Sequence, residues 1–553
     1  MRRTAVLIAF LALSVSANAV TTRYLSDLRF DNLDALEFNN VSFVDGGGIE
    51  LARATSPVWS YDEPVWSAEN LDGGLLVSAG NTAKLLLVRK DTNRVVFEDT
   101  NQMLFSDMIL ENGKLYLSSI PNGKVTVLDR EYRKTGEYAL SNQYAWALVP
   151  ADGGMYVLAG NPAELYFLDK KEKLSRLAQF SNEGNLLKGV VQNGELILSG
   201  DGNTLYRWSK GRISVVASFD NPIADFIVRD DGIFVVTSAA EARKQQQQQN
   251  AQQQQQQQQL QSGSTDGDVG KPMIVPTGRK QNARSSLWRV EKDGRAEEIF
   301  WKTGIRFISV APLGRNFVVG SDKNGGYFEI ATDGSPARFT SLGEGKFARF
   351  TEVGGETWAV LLEPSRILRL GTNYAPSGLF TSTVFDCASL SVWGRPIFGR
   401  TTPQGTTARL YTSSSLVAEE PLFDEWRVAD SNVASPAGRY LRYRVELTGD
   451  GASTPTFRGL SVPYVQKNLA PRIERIQLSQ TVNGIKVQWD AQDDNRDVLQ
   501  YDVYLAPLDG DFVKWNERPL EENNIEIPRD NVPEGRYRVR VTASDAPSNP
   551  PSE

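Results

Sequence analysis

The sequence predicts an all-β chain, and three observations carry that reading. Seven glycines recur about forty residues apart, each ahead of a short apolar strand. From Ser377 onward, apolar and polar residues alternate in short runs bounded by Gly, Pro, Asn and Asp. Aromatics make up 10% of the chain, with 11 Trp and 18 Tyr, which suits packing on pleated surfaces. At 553 residues the chain exceeds what one core holds, so several domains are expected.

The first residues read as an export signal. Arg2 and Arg3 precede an apolar run from Ala5 to Val15, and Ala17-Asn18-Ala19 forms a small-residue cleavage site. Residues 1–19 are therefore expected to be a signal peptide, and the protein to be exported, periplasmic or extracellular. The apolar run is short for a membrane span, and no later run is longer, so no transmembrane segment is expected.

The glycine repeat comes next. Gly73, Gly113, Gly153, Gly194, Gly232, Gly314 and Gly354 are spaced 40, 40, 41, 38, 82 and 40 apart. Each precedes a strand such as Leu75-Leu76-Val77 or Leu115-Tyr116-Leu117, then a polar turn, then a second strand such as Leu85 to Val88 or Val125 to Leu128. A four-stranded unit of forty residues cannot bury both of its faces alone. Stacking seven around an axis buries them, which predicts a seven-bladed β-propeller over residues 20–376. Closing the ring requires a strand from the far end of the array. Leu36 to Phe43 and Ile49 to Ala54 are the two candidates for the outer strand of the last blade.

One repeat is interrupted. Glycine and second strand lie 11 to 13 residues apart in six repeats and 55 apart in the fifth, from Gly232 to Leu287. The extra segment, 239–284, contains Gln245 to Gln249 and Gln252 to Gln259, then a Gly/Ser/Asp stretch. Such composition buries too little apolar surface to offset ordering entropy, so disorder is expected there. A tolerated surface expansion explains it more simply than a sticky tether.

Two β-sandwich domains are expected after the propeller. In 377–467, Gly438-Arg439-Tyr440-Leu441-Arg442-Tyr443-Arg444-Val445-Glu446-Leu447 alternates, and Gly449-Asp450-Gly451 reads as a hairpin turn. In 468–553, Ile485-Lys486-Val487-Gln488-Trp489 places a Trp on the buried side, and Tyr537 in Gly535-Arg536-Tyr537 reads as a tyrosine corner. The residues Arg439 to Tyr443 and Thr454-Pro455-Thr456-Phe457 resemble galactose-binding-like jelly rolls that follow propellers in bacterial exported proteins. That resemblance implies carbohydrate or cell-surface binding. Trp489 and Tyr537 make the last domain similar to fibronectin type III, with the last strand of the sandwich missing after Ser552-Glu553.

Composition excludes several chemistries. There is no His, which removes Ser-His-Asp and Cys-His nucleophiles, imidazole bases and the usual zinc sites. Cys387 is the one Cys, so no disulfide forms within the chain; its apolar setting reads as a buried small residue. The net charge of −7 gives no support to nucleic acid as partner. Asp490, Asp493, Asp494, Asn495 and Asp497 suit calcium by ligand type, but a solvated acidic turn explains them better.

Propellers usually bind their ligands at the channel mouth, lined by the innermost strand of each blade. Counting seven back from the turn glycine reaches Trp66, Trp146, Phe307 and Phe347, with Asp225 in blade five. Aromatic rings there could stack on sugars, though packing between blades explains the same residues with less. The expectation is a non-catalytic binding or scaffold protein, without cofactor or metal, recognising glycan or protein at the cell surface. The alternative is a propeller enzyme, of lyase or lactonase type, working with carboxylates and a divalent metal. It needs several acidic residues converging on the axis, and the repeat positions, mostly aromatic or aliphatic, predict no such convergence.

Overall fold

A computed structural model describes residues 22–27, 37–71, 74–89, 92–239 and 284–548. The expected signal peptide, Gly73 and most of the glutamine-rich insertion lie outside the described residues. Among those described, the regular structure is β-strand with two short 3-10 turns.

Seven four-stranded antiparallel units follow in chain order, each running from an inner strand outward. Blade one begins at Val65–Leu71, blade two at Leu104–Glu111, blade three at Tyr144–Ala151, and blade four at Leu186–Gln192. Blade five begins at Ile223–Arg229, blade six at Phe307–Leu313, and blade seven at Lys346–Val353. The repeat is legible because the hairpin joining the first two strands demands a left-handed residue. Gly113, Gly153, Gly194, Gly314 and Gly354 hold φ between +60° and +89° there, a region costly for residues with a Cβ. The middle strands are the most apolar because they are covered on both faces; Phe234, Val235 and Val236 of blade five are at most 1% exposed.

Five strands precede blade one: β1 (Arg23–Asp27), β2 (Glu37–Asn39), β3 (Val41–Val44), β4 (Ile49–Leu51) and β5 (Arg53–Tyr61). The ring is closed by β5, which pairs antiparallel with Ser365–Tyr374 of blade seven, from Tyr61 opposite Ser365 to Arg53 opposite Tyr374. The closing strand is thus neither of the two expected segments, although it shares Arg53 and Ala54 with the second. An outer strand is covered on one side only, so its sequence, RATSPVWSY, is more polar than a buried strand's.

The more apolar candidates lie elsewhere. β3 adds to the outer strand of blade six, with Phe43 opposite Phe339. β4 pairs with β3 and also with Thr456–Gln466 of the next domain. Blade six therefore runs without a break through β3 and β4 into the sheet of the first sandwich. The core is shared too: Phe43, Ile49, Phe339, Phe380 and Phe457 belong to one buried cluster. β1 pairs with Thr456–Gln466, and β2 with Ser377–Thr381. Hence β1, β2 and β4 are built into the sandwich sheet rather than into the propeller's blades.

The first sandwich spans 377–466, and its alternating strand Gly438–Thr448 pairs with Thr407–Ser415 and Ser377–Thr381. The expected hairpin at Gly449-Asp450-Gly451 does not form. Gly438–Thr448 and Thr456–Gln466 are separated in the sheet by Phe385–Trp393. The turn chemistry is real, with Asp450 accepting from Ala452 and Ser453 N–H, but it starts a connection between strands that are not neighbours.

The last unit has two three-stranded sheets. One holds Arg472–Gln480, Gly484–Gln492 and Asn524–Pro528; the other holds Val513–Lys514, Gln500–Pro507 and Tyr537–Ser544. Trp489 is 1% exposed at its centre and meets Tyr501 edge to face at 5.2 Å. The Tyr537 hydroxyl donates to the Pro533 carbonyl at 2.9 Å, the corner bond expected from the sequence.

Candidate functional site: a charged ring at the propeller axis

Every inner strand carries a β-bulge at the same place. The register shifts fall between Val65 and Ser67, Phe105 and Asp107, Ala145 and Ala147, and Leu186 and Lys188. They recur between Ile223 and Asp225, Phe307 and Ser309, and Phe347 and Arg349. A bulge re-aims the residues beside it. The residue just past each bulge is Ser67, Asp107, Ala147, Lys188, Asp225, Ser309 or Arg349, and all seven line one axial cavity of about 470 Å³. Glu69 lines it as well.

The ring positions also fasten blade to blade. Asp107 Oδ2 accepts from the Leu148 N–H of blade three at 2.9 Å. Asp225 Oδ2 accepts from the Val310 N–H of blade six at 2.9 Å and from the Ser309 hydroxyl at 2.7 Å. Ser309 Oγ in turn accepts from the Phe350 N–H of blade seven at 3.1 Å. The remaining Asp225 oxygen accepts from the Lys188 ammonium and from the Phe226 N–H. These carboxylates are acceptors for groups that the bulges leave unpaired within their own blades.

The electrostatics follow from crowding charge in a confined space. Burial and the neighbouring Asp107 push the Glu69 carboxyl up to about 7, with the Arg349 charge acting the other way. Burial likewise holds Asp107 above its ordinary range, against the pull of the Leu148 and Met108 N–H groups and of Arg349. Burial lowers the Arg349 guanidinium, while Asp107, Asp225 and Glu69 support its charge. Arg349 Nε is buried without a hydrogen-bond partner among the described residues, and so is Ser67 Oγ.

Of the five positions predicted from sequence, Trp146 and Asp225 line the cavity. Trp146 donates its Nε1 proton to Asn185 at 2.9 Å. Trp66 sits on its bulge and donates to the Gly80 carbonyl at 2.8 Å. Phe307 and Phe347 are 0% and 4% exposed and pack between blades: Phe307 meets Phe300 of blade five, and Phe347 joins Phe350 of its own strand in one buried cluster with Ala311 and Val318 of blade six. Sequence reasoning missed Glu69, Asp107, Lys188, Arg349 and Glu352, and with them the meeting of four carboxylates around the axial cavity. That corrects the expectation of no acidic convergence; a count from the turn glycine lands before, on or after the bulge in different blades.

Outside the ring, Asp493, Asp497 and Asp545 are the acidic group among the described residues whose oxygens approach within 4.8 Å of one another. Asn495 of that turn is spent structurally, accepting from Leu469 N–H and donating to the Lys467 carbonyl. Cys387 is 1% exposed, and burial pushes its thiol up to about 12.

No protein-family profile and no curated protein matches the chain. Among solved structures, virginiamycin B lyase from Staphylococcus aureus is similar over 61% of this chain and 99% of its own, at 11% identity and a TM-score of 0.43. The calcium-binding protein regucalcin from Agrobacterium tumefaciens is similar over 49% of this chain and 90% of its own, at 16% identity and a TM-score of 0.31. At these values the seven-bladed architecture rests on the strand pairing rather than on the neighbours.

Proposed function

We propose that this chain is an exported binding and scaffold protein that recognises glycan or protein at the cell envelope or exterior. The observation that carries the reading is the use made of the axial aspartates. Asp107 and Asp225 accept backbone N–H groups of the following blade, so their oxygens hold the ring together. A carboxylate committed in this way is poorly placed to grip a divalent cation or to move a proton.

Two further features support the reading. The 377–467 unit has the resemblance to galactose-binding-like jelly rolls, and the 468–553 unit the resemblance to fibronectin type III, with Trp489 and Tyr537 in the expected roles. Both are accessory folds that favour adhesion over catalysis, although fold alone decides no function. The signal segment at residues 1–19 supplies the route out of the cytoplasm.

The test is a glycan array and a cell-surface binding assay on the purified full chain, run beside metal analysis. Saturable binding to a defined glycan or surface protein is the expected result. A stoichiometric divalent ion, lost together with a measurable turnover on substitution of Asp107 or Asp225 by Asn, would overturn the proposal in favour of the metal-dependent enzyme.

A further inference from the structure

We infer that the axial cavity binds a small hydroxylated carboxylate, the chemistry of a sugar acid, with Arg349 gripping the carboxylate and Glu69 and Ser67 receiving the hydroxyls. This rests on the binding reading above and names the ligand class of the same ring.

Three observations meet there. Arg349 carries a planar fork of donors suited to bidentate carboxylate recognition. Its Nε is buried with no partner among the described residues, and the two aspartates that support its charge each spend an oxygen on the following blade. Ser67 is 3% exposed, lines the cavity, and has an unpartnered hydroxyl. Its counterparts Asp107, Asp225 and Ser309 each fasten the next blade, so Ser67 is the hydrogen-bonding ring member left with capacity to spare. Trp146 adds an indole to the wall, an apolar face against which the C–H side of a sugar ring packs.

The charge balance narrows the ligand further. Glu69, Asp107, Asp225 and Glu352 stand against Lys188 and Arg349. That excess repels a doubly charged phosphate or sulfate more than a single carboxylate, whose one charge faces Arg349. Glu69 wants a donor opposite it, which a hydroxyl provides and a simple aliphatic acid does not. The cavity, at about 470 Å³, lies in the range of small-molecule sites.

The experiment is titration of the full chain with D-glucuronate and with D-glucose, followed by calorimetry or saturation-transfer NMR. Glucuronate is expected to bind at least about tenfold more tightly than glucose, since a site built around a charged group rejects the analogue lacking it. Arg349→Gln should lose that preference. Ser67→Val should weaken glucuronate without lowering the melting temperature, because the Ser67 hydroxyl holds no bond in the ligand-free chain. Equal binding of both sugars, binding of neither, or wild-type affinity in a folded Arg349→Gln chain would overturn the inference. If the array still reports a ligand in that event, only the axial assignment fails; silence in both assays removes the binding reading as well.

Discussion

Asp107 of blade two and Asp225 of blade five stand three blades apart at the same bulge position, and each accepts a 2.9 Å hydrogen bond from the inner strand of the blade that follows. The pair shows how a repeat protein with little sequence identity between units keeps its ring tight. The bulge frees a backbone N–H, and the acidic side chain of the preceding blade receives it.

Removing one such acceptor should be costly. Asp225→Ala strands the Val310 N–H, the Ser309 hydroxyl and the Lys188 ammonium together. A loss of about 2–4 kcal/mol is expected in denaturant unfolding, the scale for breaking a buried charged network. Ser67→Ala, at the equivalent place with no bond to lose, should stay within about 0.5 kcal/mol of wild type.

The ring closure offers a second test. Arg53 of β5 meets Glu329 of blade six fork to fork, at 2.9 and 2.7 Å, and its guanidinium lies 4.3 Å from the centre of the Tyr374 ring. Arg53→Ala leaves buried Glu329 with Asn316 and the Arg338 charge in place of its fork, so about 2–3 kcal/mol should be lost. The double variant Arg53→Met/Glu329→Leu should recover part of it, because no charge is then stranded. Equilibrium unfolding of the three variants measures both.

Glu69 predicts a pH dependence. Burial and Asp107 raise its folded-state pKa to about 7, above the ordinary 4.5, with Arg349 opposing and Lys188 and Asp225 also in the cavity. Between pH 4.5 and 7 the folded chain therefore holds more of this proton than the unfolded chain. Stability should fall as pH rises through that window and level off above it. Glu69→Gln should flatten this part of the profile and leave the protein more stable than wild type at pH 8, as read by melting temperature against pH.

Trp489 should decide the stability of the last domain. It is 1% exposed, and its Nε1 proton has no partner among the described residues. Trp489→Ala is expected to cost about 3–5 kcal/mol in that domain. Trp489→Phe should cost clearly less, because no hydrogen bond is given up. Calorimetry would resolve the change as movement of one transition.

Cys387 should be silent to thiol reagents in the folded protein. Burial, then the charge of Asp386, raise its thiol to about 12, and the thiolate is the reactive form. A colour reagent for thiols should read none in buffer and one per chain in denaturant.

The repeat was legible because a left-handed glycine marks the first hairpin of five of the seven blades, and that hairpin recurs once per blade. The axial chemistry was not, because it depends on a bulge that shifts register by one residue. Counting seven back from Gly73 gives the bulged Trp66, from Gly232 the ring residue Asp225, and from Gly314 the buried Phe307. The same count from Gly113 stops at Ser106, one residue short of Asp107, and from Gly354 at Phe347, two short of Arg349. The closing strand was missed for a related reason: Arg53 to Tyr61 is half exposed, so apolarity pointed instead to β3 and β4, whose burial comes from the junction of blade six with the sandwich. Trp489 and Tyr537 were readable because each has one local role that sequence spacing expresses.

The pairing of Leu25 with Val462 has a consequence for how the chain comes into being. More than four hundred residues separate the two, so at ribosomal speeds of about 5–20 residues per second β1 waits roughly 20–90 s for its partner. The closing strand β5 waits similarly for Ser365–Tyr374. A nascent or prematurely terminated chain thus has neither a shut ring nor a finished sandwich, and carries unsatisfied strand edges until its last third exists. Quality control at the site of synthesis would see a product cut short of Gln466 as unfinished.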